Sequence, residues 1–231
     1  MDMTRAFALT HPDQQRLQDL DGFFVEIDPT RERADIVLHR PPYNVISMAA
    51  RDQLRAVFEA LDAPARCSKP VIAANQGYCF GVGFELSLAC DFRIATHTTE
   101  YALPEQKLGQ IPGSGGSARL QKMVGVGRTK DIVMRSRRIP GLQAYDWGIA
   151  VDCVADSDLT AVTDALVDEL RAFSPLAQRT AKKLLNDTED APLSIAIELE
   201  GHCYSRLRSS DDFREGVEAF HGKRKPAFRG S

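Results

Sequence analysis

Two short apolar runs near the start of the chain give way to a helical spacing of apolar positions. Residues 23–27 and 34–38 lie on either side of the turn-forming residues 28–31, which predicts two paired strands. Over residues 49–61 the apolar positions recur three and four residues apart, which predicts an amphipathic helix. The pattern therefore predicts a hairpin followed by a helix.

Further along, short apolar runs alternate with a buried-helix pattern. Residues 71–74, 92–95 and 101–103 are predicted to be short strands, and residues 84–90 are predicted to be a buried helix. Short strands that alternate with helices are typical of an α/β core.

The second half of the chain carries mainly helical patterns. Six segments are predicted to be helices, at residues 117–124, 129–136, 141–147, 158–173, 175–185 and 192–208. Ser157 and Ser174 precede two of these segments and are the predicted N-caps. The pattern divides the chain into an N-terminal extension (1–22), an α/β core (23–137) and a helical C-terminal region (138–231).

Composition narrows the classes of function. The chain has 231 residues, of which 43% are hydrophobic and 26% charged, as in ordinary globular proteins. Its net charge of −3 gives no sign of binding to nucleic acid or to a membrane surface. It has neither a membrane-spanning apolar run nor a secretory signal. The five cysteines are scattered, so we expect reduced thiols in a cytoplasmic protein, with metal ligation as the alternative.

The acidic residue Glu85 lies in a glycine-rich segment. Residues 81–85 are not a dinucleotide fingerprint, because Leu86 stands where its third glycine belongs, and no Gly-Lys-Ser/Thr of a phosphate loop follows. What remains is a strand, a glycine turn and a helix N-terminus, whose unpaired N–H groups suit an enolate or thioester oxygen. Alternatively, Gly81 and Gly83 only permit tight packing, and Glu85 complements the helix dipole.

A second acidic residue, Glu105, precedes another glycine-rich segment at residues 109–116. Two carboxylates with bare N–H donors can add or remove water, or move a proton next to a carbonyl. Glu85 and Glu105 are too far apart in sequence to share one helix, so the hypothesis predicts that the fold brings them to one pocket. Alternatively, Glu105 is an exposed loop acid, and Gly115 and Gly116 only start a helix.

Other reactive residues form no recognisable catalytic motif in the sequence. Residues 113–115 are too short for the nucleophile motif of a serine hydrolase. The five histidines form no dyad with a cysteine or serine. Asp91 follows a predicted helix end, where we expect a structural hydrogen-bonding role.

Five ordered segments together resemble motifs of the crotonase, or enoyl-CoA hydratase/isomerase, superfamily. They are Arg40-Pro41 with Asn44, residues 69–77, residues 81–91, residues 104–116 and residues 215–225. The resemblance covers roughly residues 23–231. It implies a spiral of β-β-α turns with a C-terminal helical oligomerisation region that forms trimers, often paired into hexamers.

The resemblance also implies a chemistry and a set of site residues. The family's common step is an enolate of an acyl-CoA thioester held by backbone N–H groups. By this resemblance Glu85 activates water, Glu105 moves the proton at the α-carbon, and the Val82 N–H holds the enolate oxygen. Four positions would contact CoA: Gly81, Gly113, Phe220 and Lys223. No metal or redox cofactor is implied, since the CoA belongs to the substrate.

These features lead us to expect an enoyl-CoA hydratase, a lyase that adds water across the 2,3 double bond. We expect a cytoplasmic homotrimer or dimer of trimers, with no nucleic-acid or membrane partner. The alternatives are an isomerase or thioester hydrolase of the same family, or an inactive subunit of an oligomer. An acyl-CoA binding test separates an enzyme from a scaffold.

One departure from the family pattern follows Asp62. Here the family has another core strand and a loop that supplies a second oxyanion N–H, whereas this chain runs almost directly into the strand near Lys69. Loss of one such donor costs about 2.7–4 kcal/mol of transition-state stabilisation. If the chain has no further segment there, we expect weak or absent hydration.

Overall fold

The computed structural model describes residues 20–28, 33–39, 46–60 and 68–231. Four predicted features lie outside the described residues. They are most of the N-terminal extension, the turn at residues 28–31 beyond Asp28, the Arg40-Pro41 and Asn44 motif, and the junction after Asp62.

The N-terminal part is the predicted hairpin and helix. Strands β1 (Phe23–Asp28) and β2 (Arg33–Leu38) pair antiparallel. Helix α1 (Met48–Ala60) packs against them through Leu54 and Val57, which are both buried. These elements form a small apolar core of their own, which confirms the prediction for this segment.

Two three-stranded sheets form the centre of the protein. In the first, β3 (Ile72–Asn75), β5 (Phe92–Thr96) and β8 (Asp152–Val154) are all parallel. Among the described residues, the β1–β2 hairpin pairs with neither sheet.

The second sheet contains the strands that precede the two glycine-rich segments. Its strands are β4 (Tyr78–Phe80), β6 (Glu100–Ala102) and β7 (Ile139–Pro140), with β4 parallel and β7 antiparallel to β6. Helix α2 (Val82–Ala89) connects β4 to β5, and so leads from one sheet to the other.

Three of these strands were not predicted. β4, β7 and β8 have only two or three residues each, too few to give a periodic signal in the sequence. Because β7 and β8 pair with core strands, the sheets extend beyond residue 137 to Val154, and the purely helical segment begins after that strand.

Six further helices follow the glycine-rich segments. They are α3 (Gly116–Met134), α4 (Gly141–Asp146), α5 (Leu159–Arg171), α6 (Pro175–Thr188), α7 (Leu193–Leu207) and α8 (Asp211–His221). The first two predicted helices are one element, α3, kinked at Gly125, which has φ 81° and ψ 163°. This conformation is open essentially only to glycine. Helix α8 was not predicted.

The two predicted N-caps have different outcomes. Ser174 caps α6, since its Oγ accepts a hydrogen bond of 3.1 Å from the Ala177 amide. Ser157 is not a cap, because it lies in the 3-10 turn Asp156–Asp158 and donates its hydroxyl to Asp158. Asp158 instead precedes α5, without a side-chain capping bond.

The helical region is fixed to the sheets by a partly buried ion pair. Lys182 of α6 donates to Asp91 at 2.7 Å and to the Lys69 carbonyl at 2.9 Å. Asp91 also accepts a 2.7 Å hydrogen bond from the Val71 amide. Asp91 therefore has the structural role that the sequence predicted.

Helix α7 presents large apolar side chains to solvent. None of its residues is buried. The exposed apolar residues on it include Leu193, Ile195, Ile197 and Leu199. Among the helices of the described residues, none is both long and apolar enough to cross a membrane.

Candidate active site

A glycine turn aims the start of α2 at the segment that carries the second acid. Gly81 has φ 55° and donates its amide to the Ala102 carbonyl of β6 at 2.9 Å. A Cβ on Gly81 would lie 3.0 Å from Oε1 of Glu105. Glycine is therefore required twice here, for its positive φ and for the close approach of the carboxyl group.

Glu85 lies one turn into α2 and is 2% exposed. Its Oε1 accepts hydrogen bonds from the amides of Ser114, at 2.7 Å, and Gly116, at 3.0 Å. A Cβ on Gly116 would lie 2.7 Å from Cγ of Glu85, so a side chain there would displace the carboxylate. Among the described residues, Oε2 of Glu85 has no hydrogen-bond donor, which leaves that oxygen available to a ligand.

Glu105 lies in the 3-10 helix Pro104–Leu108, directly after β6. Its Oε2 is buried and has no hydrogen-bond partner in the described part of the chain. Burial raises the pKa of the Glu105 carboxyl above its ordinary value, a hydrogen bond from its own backbone amide opposes this shift, and the charge of Glu85 adds to it.

The charge of Glu85 contributes to the raised pKa of Glu105, so the two carboxyl groups interact, but their surroundings differ. That they line one pocket stays a prediction. Glu85 has two N–H donors on one oxygen, whereas Glu105 has a buried oxygen with none. A pair of carboxyl groups whose environments differ in this way can divide the work of a base and an acid.

The proposed oxyanion donor belongs to the same turn. Val82 is the first residue of α2 and is half-buried. Amides in the first turn of a helix have no acceptor within the helix, and they carry its partial positive charge. The Val82 amide is therefore available to an oxygen next to Glu85.

Gly113 lies at the edge of this site. It is exposed, and a Cβ placed on it would meet no atom within 4 Å. Its neighbour Ser114 supplies one of the two amides that bind Glu85. Space is therefore available at Gly113 for a ligand, although no contact of the residue itself requires glycine.

Phe220 and Lys223 lie in the C-terminal segment, apart from this turn. Phe220 is 81% exposed near the end of α8. It lines an apolar groove of 470 Å³ that also includes Tyr204, Phe213 and Phe228, and neither glutamate lines this groove. Lys223 is exposed just after α8. Within one protomer, the described contacts do not join these residues to the glutamates.

The groups that orient Glu85 were not predicted from the sequence. They are the backbone amides of Ser114 and Gly116, and behind them Arg119, which donates to the Ser114 carbonyl at 3.0 Å. The only available signal was the glycine run at residues 113–116, which fits a loop that must approach another side chain closely.

Two thiols near α2, the buried Cys79 and the half-buried Cys90, are poor nucleophiles. Burial raises the pKa of Cys79 to about 12 and that of Cys90 to about 11, so both keep their protons at neutral pH. Among the described residues, no group of three or more His, Cys, Asp or Glu side chains could hold a metal ion. Neither thiol is therefore a candidate nucleophile at this site.

Known proteins share both the sequence and the fold. The profile of the enoyl-CoA hydratase/isomerase family matches residues 49–231. The enoyl-CoA isomerase/hydratase fer4 of Mycosarcoma maydis is 38% identical over 162 residues, which cover 70% of this chain and 59% of that protein. The carnitinyl-CoA dehydratase of Salmonella typhi is 38% identical over 171 residues, covering 70% and 64%.

A solved structure gives the same result for the fold. The enoyl-CoA hydratase from Bacillus anthracis superposes with a TM-score of 0.73 at 32% identity, covering 78% of this chain and 70% of that one. The chain spans less than two thirds of the length of the first curated relatives that it matches. The family profile nevertheless matches well over half of this chain. With its crotonase fold, the chain belongs to the enoyl-CoA hydratase/isomerase family.

Proposed function

We propose that this protein is an enoyl-CoA hydratase that adds water across the 2,3 double bond of an acyl-CoA thioester. One observation supports this reaction most directly. Glu85 has one oxygen held by two amides and the other available, beside Glu105, whose buried oxygen has no donor and whose pKa is raised. Hydration needs a base for water and an acid for carbon, and these two environments suit those two tasks.

In the proposed mechanism, Glu85 takes a proton from water as the water oxygen forms its bond to C3. The electrons of the double bond move toward the thioester oxygen and form an enolate. They return to C2 as Glu105 gives its proton to that carbon. Glu85 is then protonated and Glu105 ionised, and proton exchange with solvent restores both groups.

In this mechanism the enolate oxygen accepts a hydrogen bond from the Val82 amide. The position of Val82 at the start of α2 supports this role, because the amide and the helix dipole both stabilise negative charge. The second oxyanion donor of the family would follow Asp62, and that junction lies outside the described residues. We therefore keep the prediction that this donor is lacking and that hydration is consequently weak. The crotonyl-CoA assay tests it.

We further propose that CoA is part of the substrate and that the enzyme uses no other cofactor. In this proposal, Gly81 and Gly113 contact the CoA beside Glu85 and Glu105. Phe220 and Lys223 would meet CoA bound to a neighbouring subunit of a trimer or hexamer. Two observations support that arrangement. Both side chains are exposed, and neither glutamate of the same protomer lines the groove that contains Phe220.

Isomerisation of an enoyl-CoA is the second candidate. In this reaction one carboxyl group carries a proton between C2 and C4, with no water added. The unpartnered Oε2 of Glu105 favours it, since a single unrestrained carboxyl group could make both transfers. The isomerase activity in the name of the Mycosarcoma maydis relative is a further reason to test it.

Three substrates separate these reactions. The purified protein is given crotonyl-CoA, a 3-enoyl-CoA and saturated butyryl-CoA, and the products are identified by ultraviolet absorbance and mass. The proposal predicts that crotonyl-CoA loses its conjugated absorbance and gains one water. Conjugation of the 3-enoyl-CoA without hydration would establish the isomerase instead. Release of CoA thiol from the substrates would establish a hydrolase, and no binding of any acyl-CoA would leave only the role of an inactive subunit.

A further inference from the structure

A polar cluster of two buried side chains and one half-buried side chain lies behind the two glutamates and takes no direct part in the proposed reaction. It consists of Asn75, Ser87 and Tyr101. The Oδ1 atom of Asn75 accepts hydrogen bonds from the Ser87 hydroxyl at 2.8 Å and from the Tyr101 hydroxyl at 2.9 Å. Ser87 is 2% exposed and Tyr101 is fully buried. One amide oxygen thus joins two side chains from different elements.

The two hydroxyl groups come from the segments that carry the acids. Ser87 lies on α2, two residues after Glu85. Tyr101 lies on β6, four residues before Glu105 in the 3-10 helix that follows. The distance between α2 and β6 at this point therefore helps to set how the two carboxyl groups approach each other.

Asn75 is itself fixed to the central sheet. It is the last residue of β3 and pairs with Ala95 of β5. Its carbonyl accepts a 2.7 Å hydrogen bond from the Thr99 hydroxyl, and its side-chain amide lies 3.6 Å from Sγ of Cys79. The amide oxygen is therefore held in place independently of Ser87 and Tyr101.

Two further contacts join α2 and β6 near the acidic residues. The Phe84 and Tyr101 rings pack 4.7 Å apart between centroids. The Gly81 amide also bonds to the Ala102 carbonyl. Apolar packing and this backbone bond would hold the elements together without any buried hydroxyl. Burying the Ser87 and Tyr101 hydroxyl groups instead costs desolvation, and hydrogen bonds from both to one acceptor fix one geometry.

We propose that Asn75 is a positioning residue, which holds the helix of Glu85 and the strand leading to Glu105 at the separation that the paired acid and base require. This inference rests on the proposed function only where turnover is measured. Removal of either hydroxyl leaves the Asn75 amide oxygen with one donor fewer, and relaxes the distance between the carboxyl groups. Burial raises the pKa of Glu105 and repulsion from Glu85 adds to the shift, and both effects weaken as the two segments separate, so the pKa of Glu105 reports the geometry.

The test compares Tyr101→Phe and Ser87→Ala with a core control. Tyr101→Phe removes one hydroxyl and keeps the ring that packs on Phe84. Ile132→Val alters a fully buried side chain of α3 in the same apolar core, beyond the Gly125 kink. The carboxyl carbons of glutamate are labelled with ¹³C and titrated, and the Glu105 signal is assigned through its loss in Glu105→Gln.

We expect the pKa of Glu105 to move toward its ordinary value in both hydroxyl variants and to stay unchanged in Ile132→Val. If the protein hydrates enoyl-CoA, kcat falls about tenfold in Tyr101→Phe with KM nearly unchanged, because a small misplacement of a catalytic group slows the chemical step. In the double variant Ser87→Ala/Tyr101→Phe, the two effects are not additive, since both act through one amide.

The titration separates this inference from the proposed function. If the wild-type protein turns over no enoyl-CoA but the Glu105 titration still moves in the hydroxyl variants alone, the proposed function fails and the positioning role holds. A Glu105 titration that is the same in wild type, Tyr101→Phe and Ser87→Ala would overturn the positioning role, whatever the enzyme activity.

Discussion

Glu85 and Glu105 carry the same functional group in two different surroundings. Glu85 is oriented by two backbone amides, and Glu105 has a buried oxygen without a donor. An unsatisfied buried carboxyl oxygen costs folding free energy, and such costs are commonly found where a group must react. At the scale of single residues, the unsatisfied oxygen lowers stability and the same burial raises the pKa of the Glu105 carboxyl.

The substitution Glu105→Gln should stabilise the protein at neutral pH. In the unfolded chain Glu105 ionises at its ordinary pKa, about 4.3, whereas burial raises the pKa in the folded chain. Ionisation is therefore penalised only in the folded state, and the penalty grows as pH rises through the raised pKa. Thermal unfolding should give a higher Tm for Glu105→Gln at pH 7, and the difference should shrink to its pH-independent part below pH ~4.

The matched control for that comparison is Glu200→Gln, at an exposed position on α7, which should change Tm little at any pH. A Glu105→Gln protein that gains no stability relative to wild type between acidic and neutral pH would contradict the raised pKa.

Gly116→Ala should impair the site through Glu85. The new Cβ would lie 2.7 Å from Cγ of Glu85, so the carboxylate must move away from its amide donors. We expect kcat to fall at least ~10-fold and stability to fall by about 1–3 kcal/mol. Gly127→Ala, on the same helix with no atom within 4 Å of its Cβ, should instead be neutral or stabilising by up to about 1 kcal/mol. Equal behaviour of the two variants would count against this account of Gly116.

At the scale of elements, a few buried polar links join the helices to the sheets. The ion pair of Lys182 with Asp91 attaches α6 to the strand end near Val71, just where α2 passes into β5. The side chain of Lys182 is 7% exposed and that of Asp91 22% exposed. The link therefore connects the helical region to the end of the helix that carries Glu85.

Lys182→Met should destabilise the protein, since it leaves the half-buried Asp91 without its cation. We expect a loss of about 3 kcal/mol in the free energy of unfolding, measured by denaturant titration. Its neighbour Lys183 pairs with Asp187 on the exposed face of α6, so Lys183→Met should change stability by less than about 0.5 kcal/mol. A loss from Lys182→Met no larger than that from Lys183→Met would show that the link is dispensable.

The elements that were predictable from the sequence are those with enough residues to show a period. The hairpin, α1 and the long helices α5, α6 and α7 follow from apolar spacing. Strands β7 and β8 did not, because their few residues become strands only by pairing with β6 and β5. The kink at Gly125 depends on a local backbone conformation, and a single glycine in the sequence does not predict it.

The site was predictable only in part, for a similar reason. Glu85 and Glu105 stand out as acids among glycines. The amides of Ser114 and Gly116 cannot be identified, because every residue has a backbone N–H and only the fold selects two of them. The Asn75 cluster joins three residues spread over 27 positions, so no local pattern reveals it.

At the scale of the whole molecule, the C-terminal helices leave apolar surface uncovered. Helix α7 has no buried residue, and the groove of Phe220 adds further apolar lining. Contiguous exposed apolar surface of this kind commonly marks a protein interface. Among the described residues, the β1–β2 hairpin pairs with neither central sheet. The lack of a family strand after Asp62 stays a prediction, because that junction lies outside the described residues.

We predict that the protein is a trimer or a pair of trimers at micromolar concentration. Ile197, 60% exposed on α7, should lie within or beside the contact, so Ile197→Glu should shift sedimentation toward the monomer without unfolding the chain. Glu200→Gln on the same helix serves as the control and should leave the assembly intact. A wild-type monomer in sedimentation would remove this prediction, and with it the proposed role of Phe220 and Lys223 across an interface.

The central claim is that Glu85 and Glu105 together perform the chemistry, and its most direct test is the hydration of crotonyl-CoA by three variants. Glu85→Gln and Glu105→Gln should each lower kcat at least ~10²-fold, the usual contribution of a positioned acid or base. KM should change little, because glutamine keeps the shape of glutamate and the CoA is held elsewhere. Glu200→Gln should retain the wild-type rate. Wild-type rates in both Glu85→Gln and Glu105→Gln would mean that the two glutamates are structural, and would contradict the hydratase mechanism.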